Sequence, residues 1–210
     1  RHNHAMKQSI KIAMVFVLVG GWTCSSSALT LTNLPASDAF VRAAAPTANY
    51  GGAGSLSVSG STATNGSGVS QGLSDTLMRF SLSGTVSSFD AAFGAGNWAL
   101  SGVTLRVTEQ AAPPNAMYNR GVGSFEIRWI ANDSWTEGSG TPQSPTTTGI
   151  TYNSLTGTYI GAGDESLGTF SFGGGTSGNN TYSLALTSGF DADATAGNLV
   201  SFRLFAADSA

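Results

Sequence analysis

Four short segments of this sequence place an arginine between large apolar residues, and the alternation has a period of two. Successive side chains of a β-strand point to opposite faces, so this pattern is typical of strands with one buried and one outward face. We therefore expect the apolar residues to fill a core and the arginines to stand on outer faces. The segments are MRF at 78–80, LRV at 105–107, IRW at 127–129 and FRL at 202–204, which contain Arg79, Arg106, Arg128 and Arg203.

The rest of the sequence also favours an all-β fold. It is rich in Gly, Ser and Thr, and short alternating runs are separated by turns that contain Gly, Pro and Asn. Most predicted strands are joined by loops too long for tight hairpins, which predicts a jelly-roll-like β-sandwich of two antiparallel sheets. Short helical segments are predicted at 87–93, capped by Ser87 or Ser88, and at 191–197. The eight predicted strands cover residues 38–43, 55–60, 76–82, 103–109, 124–131, 167–172, 181–186 and 199–206.

The N-terminal region is typical of a secretory signal peptide. Residues 1–5 are set aside as upstream residues; from Met6 the chain has two lysines, an apolar run over 12–22 and small residues that end at Ala28. The run is shorter than the ~20 residues that span a bilayer. We predict cleavage near Ala28, a single domain over 29–210 without a membrane span, and a secreted or cell-surface location.

Removal of this leader would leave a chain with an unusual composition. Every histidine, lysine and cysteine lies before residue 29, and the remainder has six arginines against twelve carboxylates. Residues 29–210 therefore cannot form histidine-dependent triads, thiolate or imidazole metal sites, or lysine Schiff bases. An acidic chain without a basic cluster also lacks the footprint of a nucleic-acid-binding protein.

Several motifs together resemble a known family. They are DAFVRAAAPTANYGG at 38–52, DTLMRFSLSG at 75–84, LSGVTLRVTE at 100–109, and DSWTEGSGTP with GITYN between 133 and 153. In order and spacing they resemble the DNRLRE, or disaggregatase-related, domain of exported prokaryotic proteins, which is related to carbohydrate-binding module family 96. The resemblance covers roughly residues 36–208 and implies a jelly-roll sandwich in polysaccharide-active or surface proteins, some of which bind alginate-like glycans. It also implies a further strand after LFAADSA, so the domain is expected to be C-terminally truncated at Ala210.

Two residue types are candidates for contact with a glycan. A planar guanidinium can pair bidentately with a uronate carboxylate, and aromatic residues in loops can stack on sugar rings. Alternatively, the arginines pair with carboxylates such as Glu126 across strands, and the loop aromatics lock loops against the sandwich. Because successive strands enter different sheets, about two of the four arginines are expected in one groove. The candidate carbohydrate-binding residues are Arg106, Arg128, Trp135, Tyr50, Tyr152 and Glu137.

Catalysis and metal binding have weaker support in the sequence. Asp133 and Glu137 lie four residues apart and could serve glycoside hydrolysis, and Tyr118 or Tyr152 with an arginine could serve a lyase, but nothing in the sequence arranges them. Calcium is the only ion considered, as a structural cofactor. Its candidate ligands, Asp38, Asp164 and Asp208, supply hard oxygen atoms near strand ends.

Three functions follow from this sequence, in order of preference. The first is a non-catalytic module that binds extracellular polysaccharide, including uronate-containing polymers. The second is a structural surface or matrix protein, sorted through a C-terminal Pro-Glu-Pro tail, that makes no specific sugar contact. The third is a polysaccharide lyase or hydrolase. Aromatic residues and an arginine on one exposed surface would favour the first over the second.

Overall fold

A computed structural model describes residues 11–15, 28–64, 67–108, 121–174 and 178–209, with only the backbone described for 11–15. Its strands are β1 (Lys11–Val15), β2 (Thr30–Asn33), β3 (Ser37–Arg42), β4 (Ser74–Ser81), β5 (Gly102–Thr108), β6 (Gly123–Ile130), β7 (Glu165–Phe172), β8 (Asn179–Leu184) and β9 (Leu199–Ala206). Its helices are α1 (Ser83–Phe93), α2 (Tyr152–Ser154) with a π-helical turn at Leu155–Tyr159, and α3 (Ser188–Ala196).

The strands form two antiparallel sheets. One is four-stranded in the order β2-β1-β5-β8, and the other is five-stranded in the order β3-β4-β9-β6-β7. Every strand pair of the described residues is antiparallel. The prediction of an all-β sandwich is therefore confirmed.

The main core lies between the sheets, and its residues follow the predicted strand phase. Met78 and Phe80 of β4 are fully buried there, while Arg79 between them points to the other face. The helices α1 and α3 contribute Phe89, Phe190 and Ala194 to this core. The same phase holds for β5, β6 and β9, whose core residues are Val103, Leu105, Ile127, Trp129, Val200, Phe202 and Leu204.

Local predictions differ from the structure at several places, and helix α3, for example, begins at Ser188 rather than at 191. Residues 55–60 do not form a strand; only an isolated bridge joins Ser59 to Ser74. Helix α1 begins at Ser83, earlier than predicted, and neither Ser87 nor Ser88 caps it: their hydroxyls donate to the carbonyls of the preceding turn. The helix follows β4 after one residue, and its Phe89 side chain is buried in the main core.

A second apolar cluster covers part of the outer face of the five-stranded sheet. Ala39, Val41, Leu77 and Ile130 face outward from β3, β4 and β6, and loop residues Trp135, Ile150 and Leu155 pack over them. Among the described residues, loops therefore cover one half of this outer face and not the other, which we call the open half.

The first strand comes from the predicted leader. Lys11–Val15 pairs with both β2 and β5, whereas the other leader residues up to 27 lie outside the described residues. No helix within the described ranges is long and apolar enough to cross a membrane.

Candidate functional site

Three of the four strand arginines share the outer face of the five-stranded sheet. Arg79 lies on β4, Arg203 on β9 and Arg128 on β6, and Arg128 is the direct cross-strand partner of Arg203. Arg106 alone lies on the four-stranded sheet. The four arginines therefore do not share one surface, and two of them, Arg128 and Arg203, are direct neighbours.

Arg79 is enclosed by the loop that follows β6 and contains Asp133 and Trp135, which we call the covering loop. Its Nη1 donates to the carbonyls of Asp133 at 2.7 Å and Trp135 at 2.6 Å, and its Nη2 donates to Ser37 Oγ at 3.0 Å. Its guanidinium carbon lies 4.9 Å from the centroid of the Trp135 ring. Arg79 stands on the outer face as predicted but is only partly exposed, because a distant loop closes over this end of the sheet.

Arg203 is also largely buried, beside a buried carboxylate. Its Nη2 lies 2.7 Å from Asp75 Oδ2, and the two side chains are 15% and 5% exposed. Burial raises the pKa of the Asp75 carboxyl, and the charge and hydrogen bond of Arg203 oppose that shift. The guanidinium carbon of Arg203 lies 4.1 Å from the centroid of the Phe205 ring.

Arg128 is more exposed than Arg203. Its side chain is 34% exposed, and its Nε and Nη2 donate to one oxygen of Glu126, at 2.9 and 2.7 Å. Its guanidinium carbon lies 5.8 Å from the Phe205 ring on the neighbouring strand. We call Glu126, Arg128, Arg203 and Phe205 the Phe205 patch.

The Phe205 patch continues onto an open polar surface at the sheet edge. Glu126 is the cross-strand partner of both Phe205 and Thr169. Thr169, Ser166 and Ser171 of the edge strand β7 are exposed. Among the described residues, this part of the face is polar, and Phe205 is its partly exposed aromatic ring.

Two of the aromatic residues predicted to contact a glycan, Trp135 and Tyr50, are buried. Trp135 is completely buried and donates its indole N–H to Ser201 Oγ at 2.9 Å. Tyr50 is buried and stacks on Phe40, with ring centroids 4.8 Å apart and planes 4° apart. Tyr152 is half-buried against the second cluster, and Tyr118 lies outside the described residues. Burial of Trp135 and Tyr50 favours the alternative interpretation, in which these aromatics lock loops.

Asn49 shows how the locking works. Its Nδ2 donates to the carbonyls of Glu137 at 2.6 Å and Ile150 at 2.7 Å, and its Oδ1 accepts from the N–H groups of Gly51 and Gly140. Three of these hydrogen bonds join the motif at 38–52 to residues 137–150. The fourth, from the N–H of Gly51, secures the turn next to Asn49. The main-chain carbonyl of Glu137 belongs to this lock, although Glu137 is a predicted glycan contact.

Arg106 lies alone on the four-stranded sheet. It is half-exposed, its Cα pairs with Thr181 of β8, and among the described arginines it is the one without a hydrogen bond or ion pair. Its neighbours on this outer face include exposed Thr181 and Ser183. The surface around it is polar and contains no aromatic residue of β5 or β8 in outward phase.

The predicted calcium ligands occupy separate places. Asp164 accepts from the N–H groups of Ala131 and Gly161, and Asp208 accepts from the N–H of Ser124. Asp38 lies on the edge strand β3. No group of three or more His, Cys, Asp or Glu side chains suited to a metal occurs among the described residues.

The two carboxylates considered for hydrolysis are engaged differently. Burial raises the pKa of Asp133 to about 6, with a further contribution from Asp193, while hydrogen bonding from Ser201 and the charge of Arg79 oppose the shift. Asp133 Oδ1 is buried without a hydrogen-bond partner. The Asp133 carbonyl holds Arg79 and the Glu137 carbonyl holds Asn49, so both residues secure the covering loop.

Phe205 is the site residue that sequence analysis missed. The last strand places Ser201, Arg203 and Phe205 on one face, opposite the core residues Val200, Phe202 and Leu204. The sequence signal for this residue is that Phe205, a large aromatic, has the same outward strand phase as Arg203. Loops, rather than strand faces, are the usual place for recognition residues, so the sequence pattern does not single out Phe205.

Comparison with known proteins adds no relative to this description. No protein-family model matches the sequence, and no curated protein matches it at a significant level. The fold and the surface chemistry define the class as an all-β sandwich with a charged aromatic patch on one sheet.

Proposed function

We propose that this protein is a non-catalytic module that binds extracellular polysaccharide through the Phe205 patch. The observation that carries the proposal is a partly exposed Phe205 ring flanked by the guanidinium groups of Arg203 and Arg128 on an open sheet face. The motif resemblance to the DNRLRE domain supports the same class of function and a place at the surface of a prokaryotic cell.

The chemistry of the patch suits an acidic polysaccharide. The apolar C–H face of a sugar ring packs on an aromatic ring, and a guanidinium binds a carboxylate through paired N–H groups. The guanidinium of Arg128 has five N–H donors. Its Nε and Nη2 each donate to the same oxygen of Glu126, so the remaining N–H groups can donate to the carboxylate of a uronate. Glu126 would keep the guanidinium oriented and accept from a sugar hydroxyl.

A structural surface or matrix protein is the second candidate. Its support is that Arg128 and Arg203 already have carboxylate partners within the sheet, at 2.7 Å in each pair. Surface ion pairs of this kind are common in sheets without any ligand. Such a protein would be retained by no soluble polysaccharide.

Affinity electrophoresis with mature protein tests the proposal. Alginate, pectate and a neutral glucan are embedded in native gels, with and without calcium, and retardation is compared for wild type, Phe205→Ala, Arg128→Gln and Arg106→Gln. We expect retardation by the uronate polymers and at least a tenfold loss of affinity in the two patch variants, which is about 1.4 kcal/mol. Arg106→Gln is the matched control on the other sheet and should bind as wild type does.

Two outcomes contradict this assignment. If no polymer retards a protein whose circular dichroism shows a folded β-sandwich, the binding function is wrong and the structural function is favoured. If only Arg106→Gln loses binding, the function stands but the surface is the four-stranded sheet.

A further inference from the structure

Carboxylates balance the positive charges of the Phe205 patch. Arg128 and Arg203 each lie 2.7 Å from a carboxylate oxygen, that of Glu126 and that of Asp75 respectively. A third carboxylate, that of Asp208, accepts from a main-chain N–H of β6, the strand of Arg128, at 2.6 Å. The patch and its border therefore do not form a cationic surface, although two arginines meet there.

The arginines of this sheet differ in what they can offer to a ligand. Both Nε and Nη2 of Arg203 lie close to one oxygen of Asp75, at 2.8 and 2.7 Å, and the Arg203 side chain is 15% exposed. Arg79 donates to carbonyls of the covering loop, and Arg42 donates to Gln71. Among the described arginines of this sheet, Arg128 is therefore the one placed to bind a ligand carboxylate at the patch.

Hydroxyl groups border the patch on the side of the edge strand β7. Thr169 is the cross-strand partner of Glu126, Ser166 is that of Arg128, and both are exposed. Adjacent strands lie about 4.8 Å apart, so a polymer that crosses from β9 to β7 passes from the Phe205 ring to these hydroxyls. Hydroxyl groups both donate to and accept from the hydroxyls of a neutral sugar.

A second carboxylate on a neighbouring sugar would meet an unfavourable environment. On one side of Arg128 it would approach Glu126 and Asp208, and on the other it would approach the Arg203–Asp75 pair, whose guanidinium is already engaged. Like charges brought together on binding are unfavourable and exclude partners that carry them. Such repulsion contributes to specificity as much as attraction does.

We propose that the Phe205 patch selects a heteropolysaccharide in which uronates alternate with neutral sugars, over a polymer in which every sugar is a uronate. Arg128 binds the single carboxylate, and Thr169 and Ser166 bind hydroxyls of the neutral neighbour. A polymer made only of uronates still binds through one carboxylate, but more weakly. The inference rests on the proposed function and adds to it the spacing of charge along the polymer.

Titration calorimetry with two oligosaccharides of equal length tests the inference. One is a fragment of hyaluronan, in which glucuronate alternates with N-acetylglucosamine, and the other is a fragment of pectate, in which every sugar is galacturonate. Wild type is compared with Thr169→Arg, which adds a cation beside Glu126, and with Thr181→Arg. Thr181 is exposed on β8 of the other sheet, so this matched control adds the same charge away from the patch.

We expect wild type to bind the alternating fragment at least about fivefold more tightly, because the extra carboxylates of the pectate fragment are repelled. Doubling the salt concentration should weaken this binding by about twofold at most, as expected for one neutralised carboxylate. Thr169→Arg should bring the two affinities to within about twofold of one another, because its guanidinium pairs with a second carboxylate. Thr181→Arg should keep the wild-type preference.

Three results would overturn the inference and leave polysaccharide binding intact. They are tighter binding of the pectate fragment by wild type, a preference that Thr169→Arg leaves unchanged, and a salt dependence steep enough for two neutralised carboxylates. Binding of neither fragment, by a protein whose circular dichroism shows a folded β-sandwich, would overturn it together with the proposed function.

Discussion

At the scale of single residues, one sequence pattern leads to three environments. Arg79, Arg128 and Arg203 occupy the same strand phase on the same sheet face. Arg79 binds loop carbonyls, Arg203 holds a buried carboxylate, and Arg128 stays a third exposed. What differs is the cover provided by residues far away in the sequence, so the energetic role of each arginine differs too.

Replacement of Arg203 is therefore expected to cost more stability than replacement of Arg128. Arg203→Met leaves the nearly buried Asp75 carboxylate unpaired and should lower the free energy of unfolding by about 2–4 kcal/mol at pH 7. Arg128→Met breaks a partly exposed pair and should cost less than about 1 kcal/mol. Urea denaturation of both variants measures the difference, and equal costs would contradict it.

The pH dependence of the Arg203→Met variant follows from Asp75. Burial raises the pKa of Asp75 in the folded protein above the ordinary value of 3.8, and loss of Arg203 should raise it further. The folded state then binds this proton more tightly than the unfolded state, so stability falls as pH rises above about 4. We expect the destabilisation to be smaller at pH 4 than at pH 7, as unfolding curves at the two pH values would show.

At the scale of elements, local sequence determines less than tertiary contacts do. Residues 55–60 alternate like a strand but make only one bridge, whereas β2 was not predicted and is held by its partner strand. The N-terminus of α3 receives hydrogen-bond acceptors from Glu165 on β7, whose carboxylate accepts from the N–H groups of Gly189 and Phe190. The nearby Thr187 hydroxyl is the largest cause that lowers the pKa of Glu165, and the hydrogen bonds from the main-chain N–H groups of Gly189 and Phe190 lower it further. Such a distant cap leaves no local sequence signal.

The loop lock around Asn49 gives a prediction at this scale. A Cβ at Gly140 would collide with the carbonyl oxygen of Asn49, whereas a Cβ at Gly84, in the first turn of α1, meets nothing within 4 Å. Gly140→Ala should destabilise the protein by at least about 2 kcal/mol, because main-chain atoms must move apart. Gly84→Ala should stabilise it by about 0.5–1 kcal/mol through higher helix propensity.

Thermal unfolding of the two glycine variants checks this prediction. Gly84→Ala serves as the matched control, since the chemical change is identical. A Gly140→Ala protein with an unchanged midpoint would mean that the covering loop does not hold the packing described for Asn49.

At the scale of the whole molecule, two apolar clusters share the same strands. In β4, Met78 faces the main core and Leu77 faces the second cluster; in β6, Trp129 and Ile130 do the same. Neither β4 nor β6 can separate from the main core without also separating from the second cluster. The loop-covered half of the outer face and the sandwich core should therefore unfold together. No disulfide holds either of them, because residues 29–210 contain no cysteine.

Truncations in the two clusters test this coupling. Leu77→Ala and Met78→Ala each remove a completely buried side chain and should each cost about 2–5 kcal/mol. Both variants should keep one transition that coincides for tryptophan fluorescence and far-ultraviolet circular dichroism. Two separate transitions in Leu77→Ala would show that the second cluster unfolds on its own.

The sequence by itself determined the fold class and the buried face of strands such as β4, β5, β6 and β9, because alternation is a local property of an extended chain. It therefore predicted that Met78 and Phe80 enter the core while Arg79 does not. Only the tertiary structure decided which outward residues are covered: Asn49 meets the Ile150 carbonyl 101 residues away, and Arg203 meets Asp75 across 128 residues. Such contacts depend on strand order and loop closure, which no local pattern encodes, and they buried Trp135 and left the Phe205 patch open.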